Sequence, residues 1–270
     1  MTYEEKLQQY KDWIFRRSAY QMALAIIGID KQTVAPSAGA AYRDERSAYL
    51  AGELFSIETD PAMVQLLKEL KDDPQIDGDN KRAVELYYKQ AMDTMCIPKD
   101  EFVAYQKLRD ESFDAWIQAK SQSDYSIFEP YLKKIIEVSK KMYRYRNSDK
   151  NLYDQMLDDY EPGMTQEKYD VFFAALKERL VPLIQKVTQA KQKNEEFLHQ
   201  EFPIEDQKKF MTQLLEYLHF DSSWGYQNES EHPFTSWTCE NDCRTTTKYV
   251  KNDVISAVLS TVHEVGHAYY

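Results

Sequence analysis

The chain has 270 residues, with 45 acidic against 34 basic side chains and a formal charge of −11. That acidity argues against a nucleic-acid partner, which needs a basic surface to meet phosphate, and against an anionic membrane for the same reason. Seven glycines and nine prolines leave little material for a turn-rich β architecture, so composition favours helices in a chain long enough for a substantial core.

Residues 3–27 carry Leu7, Tyr10, Trp13, Ile14, Met22 and Ile26 near helical spacing, and a break is expected from Gly28 to Ser37. A second helix starts near Ser37 and runs toward Leu54. Asp60-Pro61 opens a third, with Asp as the cap and Pro at the first helical position. Segments 80–95, 99–120, 127–145 and 166–199 read as amphipathic helices, the last kinked or split at Pro182. Residues 202–218 add one more. His199 and His219 have no motif around them and read as structural.

The opening MTYEEKLQQYKDW is acidic and amphipathic and lacks the order of a secretion signal. The run Ala23-Leu24-Ala25-Ile26-Ile27 is far too short to span a bilayer. Cytoplasm is the compartment expected, with no membrane partner. There is no repeat, low-complexity tract or Pro/Gly/Ser linker, so residues 1–270 read as a single domain.

One strand region is expected, over residues 233–249. Phe234-Thr235-Ser236-Trp237-Thr238 and Arg244-Thr245-Thr246-Thr247-Lys248-Tyr249-Val250 are rich in Thr and aromatics and flank Glu240-Asn241-Asp242. They predict a β-hairpin immediately before a helix that begins around Asn252-Asp253. The cysteines, Cys96, Cys239 and Cys243, are odd in number, which opposes a disulfide framework. The Cys239/Cys243 pair finds no second Cys or His pair at zinc-finger spacing, and reads as two reduced side chains near a turn.

The last predicted helix ends in His263-Glu264-Val265-Gly266-His267-Ala268-Tyr269-Tyr270. Histidines four apart on a helix point the same way, so both ring nitrogens reach one metal ion, while the Glu between them sits where it takes a proton from water. Val254, Ile255, Val258, Leu259, Val262, Val265 and Tyr269 give the helix a broad apolar surface, which predicts that both histidines are wholly or partly buried. Two readings meet this pattern. Paired core histidines would need a separate partner for each of three desolvated polar groups, whereas a metal site satisfies all three together. Gly266 suits a crowded helix surface.

Several blocks resemble one family. Ser230-Glu231-His232-Pro233-Phe234, Asp242-Cys243-Arg244-Thr245-Thr246 and His263-Glu264-Val265-Gly266-His267-Ala268-Tyr269-Tyr270 occur in this order. They closely resemble the His-Pro-Phe, Asp-x-Arg-x-Thr and His-Glu-x-x-His elements of the carboxypeptidase Taq family of metallopeptidases. Residues 35–43, Ser123-Asp124-Tyr125-Ser126-Ile127-Phe128 and Leu157-Asp158-Asp159-Tyr160-Glu161-Pro162-Gly163 are similar to further family segments, so the likeness covers the whole chain. Cys243, Thr245 and Ile29 depart from the residues more usual at those places.

The resemblance implies a mainly α, multi-helix, gluzincin-like metallopeptidase fold with a small β-hairpin or sheet beside the active-site helix. It implies zinc, with cobalt or manganese as alternatives, held by His263 and His267, and Glu264 as general base toward the activated water. Peptides are the implied substrates, trimmed one residue at a time from the C-terminus, and the full-length form is implied to be a homodimer. The hairpin edge would offer a place for a substrate backbone to add as a strand. His232 and Arg244 are the implied contacts to the scissile carbonyl or the substrate carboxylate, with Asp242 and Thr246 orienting the backbone or positioning Arg244. Family members are nearly twice as long, so the chain is expected to be an amino-terminal half. It would lack the third zinc ligand and, alone, be nearly inactive. An oligoendopeptidase with the same chemistry and a non-catalytic helical fragment are the alternatives.

Overall fold

The computed structural model describes residues 1–191, 193–198 and 200–270. The chain is mainly helical, with α1 (Tyr3–Thr33), α2 (Ala40–Glu58), α3 (Pro61–Lys71), α4 (Gly78–Met95) and α5 (Lys99–Gln122) in the first half. There follow α6 (Glu129–Tyr145), α7 (Leu152–Tyr160), α8 (Gln166–Gln189) and α9 (Ile204–Tyr217). Strands β1 (Gly225–Glu229), β2 (Thr235–Cys239) and β3 (Asp242–Thr247) come next, and α10 (Val254–Tyr269) ends the chain. Among the described residues no helix is long and apolar enough to cross a membrane.

The first core forms where helical periodicity puts apolar residues on facing stripes. Thr2 and Glu5 close a capping box at the start of α1, satisfying two otherwise orphaned amides. From there Tyr10, Trp13 and Arg17 bury one face of the helix. Tyr10 and Trp13 meet Ile57, Leu66, Leu67, Leu70, Ile76 and Val84 from α2, α3, the turn after α3, and α4. Trp13 Nε1 donates to the Ile57 carbonyl at 2.9 Å, and Arg17 pairs with Glu58 at 2.7 Å. Asp60 caps α3 as expected, accepting from the Ala62 amide.

One expected interruption comes later than predicted, after Thr33, and the helix containing Pro182 is not split. α1 runs through Gly28 to Thr33, because the apolar residues on either side keep helical spacing and one glycine costs only about 1 kcal/mol in so long a helix. α8 is unbroken at Pro182. Proline removes a single backbone donor, and in a helix with no buried residue water takes the freed carbonyl. α8 ends at Gln189, short of the expected 199. His199 lies outside the described residues, and His219 stands at positive φ just past α9.

The sheet has the order β1-β3-β2. The hairpin is present: β2 and β3 are antiparallel, with a register irregularity between Trp237 and Cys239. β1 pairs parallel with β3, Gly225 opposite Cys243, and this strand was not expected. Gly225-Tyr226-Gln227-Asn228-Glu229 has little β-propensity, so pairing with β3 rather than local preference makes it a strand. At Gly225 a side chain would strike the Phe220 ring, which holds that position to glycine. The second core, Phe220, Cys243, Val265 and Ala268, lies between the sheet and α10. α9 flanks α10, and α1 passes against β2. All three cysteines are unbridged, and burial pushes the Cys243 thiol up to about 11.

Candidate metal centre on the last helix

Asp253 starts α10 by accepting from the Ser256 amide, as its place before the apolar run suggests. The buried residues Ala257, Thr261, Glu264, Val265 and Ala268 recur at helical spacing and form the stripe that faces the sheet. Thr247 donates to the Ala257 carbonyl, and Gln227 Nε2 reaches Thr261 Oγ1 at 3.4 Å.

His263 and His267 lie on the neighbouring stripe and are exposed, contrary to the expected burial. Leu259 and Val262 beside them are exposed as well. The apolar character of this helix therefore exceeds what the sheet covers. Nor is Gly266 crowded, since a Cβ there would meet no atom within 4 Å.

The two imidazoles converge. Their Nε2 atoms are 3.0 Å apart, with ring planes at 85° and centroids at 4.6 Å. Such a pair shares either a proton, one ring donating to the other, or a metal ion. Two nitrogens bound to one tetrahedral zinc would stand about 3.4 Å apart, so a shift of a few tenths of an ångström admits the ion. Both histidines thus fit the two-imidazole part of a metal site. Among the described residues no group of three or more His, Cys, Asp or Glu converges on such a site.

Glu264 is buried, at 7% exposure. Thr235 Oγ1 lies 2.6 Å from its Oε2 and 2.9 Å from its main-chain carbonyl. A hydroxyl has one hydrogen, and the closer, charged carboxylate is the stronger acceptor. The sequence reading missed Thr235. Its signal was position: it directly follows His232-Pro233-Phe234 and opens a strand.

The other expected residues divide between two places. Cys243, Thr245 and Thr247 of β3 are buried, and Cys243 and Thr247 touch α10. By strand alternation Asp242, Arg244 and Thr246 belong to the opposite face. Asp242 and Arg244 form a bidentate pair there through Nε and Nη2, and the guanidinium holds the Asp242 carboxyl below its usual range. Thr246 ties the preceding loop to the sheet: its Oγ1 accepts from the Phe234 amide at 2.9 Å and lies 2.7 Å from Ser230 Oγ. His232 is exposed, and its carbonyl takes the Ser230 hydroxyl hydrogen, so in the Ser230–Thr246 contact the Thr246 hydroxyl donates. A groove of about 830 Å³ lies elsewhere, between α9 and β1, lined by Met211, Leu215, His219 and Gln227. It includes none of the motif residues.

The sequence pattern of the carboxypeptidase Taq (M32) metallopeptidase family matches residues 9–270. Carboxypeptidase 1 of Bacillus subtilis is 36% identical over 271 residues, which cover 100% of this chain and 54% of that protein. Thermostable carboxypeptidase 1 of Thermus thermophilus is 30% identical, over 94% of this chain and 53% of its own length. The BsuCP crystal structure superposes with a TM-score of 0.94 at 34% identity, covering 98% of this chain and 54% of that one. The M32 carboxypeptidase of Deinococcus radiodurans R1 gives 0.84 at 26%, covering 98% and 53%. The chain spans about half the length of the curated relatives it matches.

Proposed function

Because the chain belongs to the carboxypeptidase Taq (M32) metallopeptidase family, we propose that α10 carries two of the metal ligands and the general base of a zinc carboxypeptidase. This enzyme would remove residues from peptide C-termini with broad side-chain tolerance. The observation that carries the reading is the 3.0 Å approach of His263 and His267 Nε2 on the helix that also presents Glu264. A divalent ion held there supplies Lewis acidity to the scissile carbonyl and lowers the pKa of water to about 7.

The chain's own groups do the rest. His263 and His267 would donate to the ion as neutral imidazoles. Thr235 occupies Glu264 Oε2, and among the described residues Oε1 has no protein partner, which leaves it to accept a proton from water. The same carboxyl then returns that proton to the leaving amine. Asp242 engages Arg244 on the face of β3 away from α10, so Asp242 would position Arg244 which, with His232, is proposed to contact the scissile carbonyl or the substrate carboxylate. Thr246 acts by holding the His232-Pro233-Phe234 loop. These 270 residues on their own offer two converging donors, so they are proposed to bind zinc weakly and to turn over slowly. The homodimer implied for full-length relatives is likewise a proposal.

Titration calorimetry with zinc tests the reading on the wild-type chain, His263→Ala, His267→Ala and Glu264→Gln. Loss of binding in both histidine variants and its retention in Glu264→Gln support it. Affinity that survives His263→Ala overturns it. Product analysis on a peptide, with hydrolysis absent in Glu264→Gln, separates single amino acids from the paired fragments that an endopeptidase would release.

A further inference from the structure

The loop before β2 and the Thr-rich strand β3 have a shared consequence for Glu264. Phe234 is clasped twice by Thr246: its amide donates to the hydroxyl at 2.9 Å, and its carbonyl accepts from the Thr246 amide at 2.9 Å. Ser230 fixes the same hydroxyl from the other side. The residue after Phe234 is thereby set in register, with Thr235 opposite Thr245, on the face of the sheet that meets α10. There its hydroxyl reaches a carboxylate that is almost closed to solvent.

An anionic carboxylate in such a place needs a donor, because a lost partner costs it more than a neutral group would lose. A β-branched side chain at the start of a strand has few rotamers, so the donor is delivered in one direction. Fixing Oε2 in this way also fixes where Oε1 points. On a helix, Glu264 is rotated by about 60° from His267, so the carboxylate needs an external hold to face the same point in space as the imidazoles.

We propose that Thr235 is a positioning residue for Glu264, its hydroxyl orienting the carboxylate toward the His263–His267 pair, with Thr246 setting the register that delivers it. This rests on the metallopeptidase reading for the role of Glu264. The contact itself stands on geometry alone.

The test uses the 270-residue chain with ¹³C in its glutamate carboxyls, at one fixed pH. The Glu264 resonance is assigned by its loss in Glu264→Gln. Thr235→Val keeps the shape of the side chain and removes the donor, whereas Thr235→Ser keeps the donor. The Glu264 resonance is expected to move in Thr235→Val and to return to the wild-type position in Thr235→Ser, with the circular dichroism spectrum unchanged. Should Thr235→Val perturb the fold, Thr235→Ala carries the same readout. In peptide hydrolysis with added zinc, the Val variant is expected to lose at least about tenfold in kcat at constant KM, with recovery in the Ser variant.

A resonance unmoved by loss of the hydroxyl in a folded variant overturns the proposal, as does equal displacement in Thr235→Ser. Zinc affinity, read on the same samples, is expected to stay within about twofold of wild type, because no imidazole is touched. A wild-type chain that binds no zinc through His263 would mean instead that these 270 residues do not assemble the metal site on their own, and the resonance comparison still decides the Thr235 contact.

Discussion

Lys31 of α1 places its Nζ 2.9 Å from Asp44 of α2, with 9% and 8% of the two side chains exposed. Asp110 and Asp114 of α5 approach the same ammonium at 3.6 and 3.5 Å. Burial pulls the Lys31 pKa down, but the Asp44 hydrogen bond and the neighbouring carboxylates outweigh it and leave the group above its ordinary value. One lysine thus joins three helices. Lys31→Met leaves Asp44 buried and unpaired and is expected to cost about 3 kcal/mol, read as a lower urea midpoint at constant m-value. The raised pKa adds a sign: the stabilisation is complete below the ordinary lysine value and fades as pH rises through the folded one. The gap between wild type and Lys31→Met should therefore narrow in strong alkali.

A second ion pair governs the acid side. Asp159 accepts from Arg146 Nη1 and Nη2, both at 2.8 Å, and from Tyr143 at 2.9 Å. Burial alone would raise its pKa, yet these bonds hold the carboxyl below its usual range. A depressed folded pKa contributes stability that is present above the unfolded value, near pH 4, and is lost as pH falls through the folded one. Asp159→Asn should flatten that part of the acid-unfolding curve while lowering stability at neutral pH. An acid limb identical to wild type would contradict this.

Thr246→Val strands the Phe234 amide and removes one of the two partners of the Ser230 hydroxyl, which keeps the His232 carbonyl. The expected loss is about 1–3 kcal/mol, measured by denaturant unfolding. Thr246→Ser should recover most of it. No destabilisation in the valine variant would show that the loop holds itself by other means.

The sequence made some of this legible and hid the rest for identifiable reasons. The His263–His267 convergence follows from four-residue spacing on a helix, and the hairpin from Thr and aromatic runs around a polar turn. β1 was invisible because its residues become a strand only through pairing with β3. The burial expected of the two histidines rested on apolar neighbours, and Leu259 and Val262 prove exposed themselves. The Thr235–Glu264 contact depends on strand register, which a single sequence does not display.

α8 supplies a prediction about association. None of its residues is buried, and Val171, Phe172, Leu183 and Ile184 are each at least half exposed. Leu259 and Val262 of α10 are exposed as well. A patch of this kind favours association. Sedimentation velocity should show mass rising with concentration, and Phe172→Lys with Ile184→Lys should suppress it. A monomer at every concentration would count against the prediction.

The order β1-β3-β2 also bears on how the molecule reaches its native state. Thr235 and Glu264 are 29 residues apart, Ser230 and Thr246 only 16, so the loops to be closed around the site are short. Trp13 must find Ile57 across 44 residues and wait for several helices to dock. Closure entropy grows with loop length, and local pairings form in microseconds. The region from β1 to α10 should therefore gain its arrangement ahead of the helical body. Pulse-labelled hydrogen exchange during refolding would register this as earlier protection of the Thr246 amide than of the Leu67 amide.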